Sequence, residues 1–175
     1  RRPARPDGVE YITSSVQQDA LRGKAIRKEV TIRLGSIGPG FDLHVLMYLP
    51  ANASGEVPVF LGYNFNGNHS INSDPGITLS KAWMRIENGV GHKNHRANEE
   101  ARGLTSSRWP VETILARGYG LATIYYGDIE PDHAEGWKDG IRAHIHKDQK
   151  GNDLPLEDWS AISAWAWGLS RVMDY

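Results

Sequence analysis

Two short polar stretches follow directly on apolar runs: Asn66-Gly67-Asn68-His69, inside FNGNHS, and Gly127-Asp128, which opens GDIEPD. Backbone N–H groups in a turn of the first kind can point at a developing oxyanion, the device that stabilises acyl-transfer intermediates. Its Asn and His side chains can equally well satisfy the backbone of a plain polar turn. Asp128 stands where ligands of open α/β sheets bind, outside the carboxyl end of a strand. The blander role for it is to order the neighbouring loop by accepting backbone N–H groups. Trp137, in EGWKDG, offers a face for a sugar or an aromatic ring, and its polar, Gly-flanked surroundings argue against a core position. Asn66, Gly67, Asn68, His69, Asp128 and Trp137 are therefore the candidate substrate-binding residues.

Other chemistry is poorly supplied. Of the seven histidines, His92 and His95 lie three apart and His144 and His146 two apart, but neither pair has Asp or Glu at ligand spacing, so structural or solvated histidines are expected and no metal. There are no cysteines, which excludes disulfides and a thiol nucleophile. No serine sits in a G-x-S-x-G setting, the strand-to-helix elbow that exposes a nucleophile in α/β-hydrolases. Gly35, Gly38 and Gly40 lead into a strand and not a helix N-terminus, so they make a turn and not a phosphate cradle.

The elements that must hold these residues follow from periodicity. Over residues 25–50, Val30, Ile32 and Leu34 share one face of a strand and Leu43, Val45 and Met47 one face of the next, a β-hairpin about a Gly/Pro turn. Residues 57–65 form a near-continuous apolar run, expected of a strand buried on both faces. A long polar segment, Ser70 to Ser107, comes next; such loops tend to be functional or disordered. Pro110 and Glu112 suit a helix start and Gly118 or Gly120 its stop, ahead of a buried strand over 121–126. Strand, helix and strand in this order predict a parallel pair. After a second polar segment, 127–158, a last helix is predicted with Asp158 as its cap. Its expected core stripe is Trp159, Ile162, Ala166, Leu169 and Met173, widened by Trp165 and Trp167.

With 39% apolar and 23% charged residues in 175, and a net charge of −1, the composition is that of one globular domain, with a basic, Pro-rich lead over residues 1–25. The scattered charge gives no footprint for nucleic acid or an anionic membrane, and no apolar run is long enough for a span. The fold class is α/β: an antiparallel hairpin leading into a parallel sheet with flanking helices. In such a sheet the last helix would return the chain to a further strand, so the sequence is expected to be the first part of a larger domain.

FNGNHS, SRWPVETILARGYGLATIYYGDIEPD and WSAISAWAWGLSRVMDY together resemble the N-terminal half of the glucuronoyl esterase family of carbohydrate esterases, from about Val30 to Tyr175. The resemblance implies an α/β-hydrolase sandwich, ending here before the nucleophile strand, and a serine esterase that needs no cofactor. Its substrate would be the ester between lignin alcohols and the 4-O-methyl-glucuronic acid groups of glucuronoxylan. The family's serine, histidine and acid would all lie beyond Tyr175, so no residue here takes a catalytic role, and the C-terminal part of the same domain is an implied partner. A secreted or periplasmic enzyme is implied, with its signal peptide outside this sequence. An acetyl xylan esterase is the nearest alternative. A non-catalytic carbohydrate-binding module is the alternative of another class, disfavoured because most aromatic residues fall in strands and the last helix.

Overall fold

The computed structural model describes residues 3–35, 37 and 41–175. Among the described residues, seven strands and the two longer helices position the site. β1 (Val9–Asp19), β2 (Ala25–Leu34) and β3 (Asp42–Pro50) run antiparallel; β4 (Val59–Asn64) is followed by a small ribbon, β5 (His92–Lys93) with β6 (Arg96–Ala97). Helix α1 (Val111–Ala116) precedes β7 (Gly120–Tyr125), and α2 (Ala161–Met173) comes last. The main sheet has the order β1-β2-β3-β7-β4, with β7 antiparallel to β3 and parallel to β4.

The alternation in the hairpin has the predicted effect. Val30, Ile32, Leu34, Leu43 and Val45 are all buried on one face, where Trp159, Ala164, Trp167 and Val172 pack over them. The opposite face carries Leu46, Tyr48 and Leu121, covered by Val111 and Leu115 of α1 and by Ile71 and Ile77 of the long loop. Burying each such side chain contributes about 1.5–3 kcal/mol over leaving it in water, so the two-sided sheet is the main source of cohesion. Gly38 and Gly40 of the predicted turn lie outside the described residues. Gly118, at φ +80°, ends the helical stretch as expected.

Four expectations are corrected. The lead contains β1, eleven residues whose mostly exposed pattern hid it from a search for apolar alternation, and whose register with β2 shifts between Thr13 and Ser15. β4 is not buried on both faces: it is an edge of the described sheet, with Val59 42% and Phe60 54% exposed and Phe60 resting against the Tyr119 ring. The cap of α2 is Ser160, whose hydroxyl accepts from Ser163 N–H, while Asp158 ends a separate turn.

The face of α2 is also rotated. Ala164, Trp167, Gly168, Arg171 and Val172 are buried, whereas Ile162 and Met173 are exposed; of the predicted stripe, Trp159, just ahead of the helix, and Trp167, one of the two residues expected to widen it, are buried. Gly168 decides this: a Cβ there would lie 2.4 Å from Ile129 Cδ1 and 2.9 Å from the Tyr63 hydroxyl, so only a bare backbone lets the helix sit this close. Arg171 is tolerated inside because its guanidinium pairs with Asp174 at 2.8 Å and lies over the Trp167 ring.

The second polar segment is ordered by a buried charge pair. Arg142 Nε donates to both Glu130 oxygens, at 3.0 and 2.9 Å, and Nη2 to Oε1 at 2.6 Å. Its Nη1 reaches Trp159 O, and Trp165 Nε1–H donates to Glu130 O at 3.0 Å, tying the loop to α2.

Candidate active site

Because β4 and β7 are parallel and in register, with Asn64 opposite Tyr125, the two polar turns leave the sheet side by side. The first is built around Gly67. At φ +85° it occupies the left-handed region, and a Cβ would come within 2.4 Å of His69 Cε1, so a side chain is excluded twice over. Ser70 closes the turn, its N–H and its hydroxyl both donating to Gly67 O, at 3.0 and 2.8 Å. The N–H groups of Asn66 and Gly67 find no acceptor among the described residues.

A polar chain joins this turn to the second. Buried Asn64 donates through Nδ2 to Asn68 Oδ1 at 2.6 Å and to Thr123 Oγ1 at 3.2 Å. Asn68 Nδ2 donates to His44 O at 2.8 Å, and the His44 N–H and Nδ1–H both donate to Asp128 Oδ2 at 3.1 Å. The Asp128 hydrogen bond holds the His44 imidazolium, raising its pKa above the ordinary value although burial acts the other way. Asp128 has a shielded side chain, 6% exposed, whereas that of His44 is 58% exposed. They open on a cavity of about 500 Å³, also lined by Glu29, Thr31, Asn68 and Lys81.

Of the six residues singled out in the sequence, Asn68 and Asp128 line this cavity together. Gly67 shapes the turn, and half-buried Asn66 lies outside the cavity wall. His69 is fully buried beneath the turn. Burial first, and then the Arg102 charge, push its pKa down to about 4, so it is neutral, with Nδ1 accepting from Ser80 N–H. Trp137 sits half-buried in the turn Gly136–Lys138 with the Lys138 ammonium over its ring, away from the cavity. His92 and His95 bond the Val90 and Met84 carbonyls.

Sequence reasoning missed His44. The available signal was a polar residue at an alternating position of β3, at the end of the hairpin that lies beside the carboxyl end of β7. It missed as well that Phe65, 63% exposed, stands at the mouth of the first turn 5.4 Å from the Tyr126 ring.

The mixed sheet, the crossover helix and a polar site at the carboxyl ends of the parallel pair define an α/β-hydrolase-type arrangement. No family model matches the chain. It is 45% identical over 173 residues to the carbohydrate esterase MZ0003 of an unknown prokaryotic organism, a match covering 97% of this chain and 39% of the relative. Among solved structures it is similar to a glucuronoyl esterase from Solibacter usitatus, at 45% identity and a TM-score of 0.84 over 100% of this chain and 43% of the other. A promiscuous CE15 esterase from a marine bacterial metagenome gives 41% and 0.75, over 99% of this chain and 43% of its own. The likeness to glucuronoyl esterases read from the three motifs is thus present in both sequence and fold, and the chain spans about two-fifths of the length of these relatives.

Proposed function

We propose that this chain forms the substrate-facing half of a serine carboxylic-ester hydrolase acting on carbohydrate esters, in particular the glucuronoyl esters that link lignin to glucuronoxylan. The observation that carries the reading is the buried Gly67 turn at the end of β4, whose Asn66 and Gly67 N–H groups have no acceptor among the described residues. Donors left free in a turn that no side chain can enter are preorganised for a charge that forms during reaction. His69, neutral and buried, positions the turn from below. Asn66 and Asn68 flank the ester, and Asp128 receives sugar hydroxyls; Trp137 is an outlying platform for a ring.

The nucleophile, its general base and the acid that orients the base are supplied, on this reading, by polypeptide outside these 175 residues, packed against β4. Exposed Val59 and Phe60 support that side as the point of attachment. The reaction is attack of serine on the uronate carbonyl, loss of the alcohol and hydrolysis of the acyl-enzyme by water. Its test is hydrolysis of the benzyl ester of glucuronic acid by the full natural protein, with acetylated xylan alongside. Acid release from the first, faster than from the second, is expected; release no faster than in buffer rejects the substrate class.

A further inference from the structure

Asn64, the last residue of β4, is 1% exposed, and its side chain is only half satisfied. Nδ2 donates to Asn68 Oδ1 and to Thr123 Oγ1, whereas Oδ1, shielded from solvent, has no partner among the described residues. A buried acceptor without a donor loses the bond that water makes to it in the unfolded chain, which offsets much of what the two Nδ2 bonds contribute. The sheet itself does not call for an amide here. In register, Asn64 lies on the same face as Thr123, Leu121 and Leu46, the face that α1 and the long loop cover with apolar side chains. An apolar residue of the same branched shape would continue that face and leave no orphan.

The amide acts on Asn68. The Asn68 side chain, 7% exposed, is held at both ends, Oδ1 by Asn64 at 2.6 Å and Nδ2 by His44 O at 2.8 Å. Asn68 directly follows Gly67, which has a left-handed backbone and no side chain of its own to anchor it. Ser70 fixes the Gly67 carbonyl, and Asn68 ties the turn to the sheet. Donors that stabilise a forming charge have to stay within about 0.5 Å of their working geometry.

We infer that Asn64 is a positioning residue: through Asn68 it sets the direction of the Gly67 N–H, and its orphaned carbonyl is the stability given up for that. The inference rests on the ester-hydrolase reading of the turn. Asn64→Leu is made in the full natural protein and compared with the parent in hydrolysis of benzyl glucuronate, in thermal unfolding and in hydrogen exchange over residues 66–71, where the Ser70 and Ile71 N–H groups are bonded to Gly67 O and Asn68 O. The expected result is a kcat at least tenfold lower with KM within twofold, a melting temperature equal to or above the parent's, and faster exchange over the turn. Asn64→Asp tests the same bond should the leucine variant not fold. A protonated carboxyl there donates to Asn68 Oδ1 and a carboxylate does not, so its kcat deficit against the parent narrows as pH falls. A purely structural Asn64 gives the opposite pattern, a lower melting temperature with kcat and the exchange of the turn unchanged, and a deficit in Asn64→Asp that is the same at every pH; either result overturns the inference. A parent that hydrolyses no ester sinks the esterase reading alone, because exchange over the turn still decides whether Asn64 holds it.

Discussion

Gly67 and two histidines show how much a single position can decide. Gly67→Ala forces a left-handed φ on a residue with a side chain and drives its Cβ into the His69 ring, so a loss of about 1–3 kcal/mol is expected in thermal unfolding. His69 and His44 respond to pH in opposite senses. His69 stays neutral in the fold down to about 4, while in the unfolded chain it takes up a proton near 6.5. The unfolded state then binds more protons across that window, so stability falls as pH drops from 6.5 toward 4, by at most about 1.4 kcal/mol per pH unit, and His69→Gln flattens the slope in denaturant titrations. His44, raised by Asp128, adds stability that is complete below about 6.5 and fades as pH climbs through its folded value. Its NMR titration midpoint should lie above 6.5 and move down in Asp128→Asn. An Asp after a strand and an Asn-Gly turn were legible as candidates because residue type and strand position fix them. Whether a His faces a cavity or the core depends on neighbours far away in sequence: Asp128 for His44, and Ser80 and Arg102 for His69.

At the scale of elements, the hairpin could be read from sequence because its faces alternate with period two about a Gly/Pro turn, and the parallel pair because two apolar runs are joined by a helix. The orientation of α2 could not. Its apolar residues, Ile162, Leu169 and Met173, mark one side, but a glycine that admits Ile129 and an arginine paired to Asp174 mark the side that is buried. Hydrophobicity counts neither. Trp167→Ala should accordingly cost roughly 3–5 kcal/mol in chemical denaturation, whereas Ile162→Ser should stay within about 0.5 kcal/mol of the parent. A large cost for Ile162→Ser would restore the face expected from the sequence. β1 escaped notice for a related reason: it is held by backbone pairing to β2 and buries almost none of its side chains.

Over the whole molecule, the sheet places both polar turns at one end of its parallel strands, and two long loops, 70–107 and 127–158, join the elements. The loops are pinned by buried ion pairs, Arg27 with Asp74 and Arg142 with Glu130, and not by apolar contacts alone. Removing one partner strands the other in the interior, so Glu130→Ala should cost about 3–5 kcal/mol and loosen the segment that carries Trp137. The most direct measurement of the central claim is a structure of the full natural protein bound to a phosphonate mimic of a glucuronate ester. The account predicts a phosphonyl oxygen about 3 Å from the backbone N–H groups of Asn66 or Gly67. A bound mimic whose oxygens make no contact with the turn from Asn66 to His69 would contradict it.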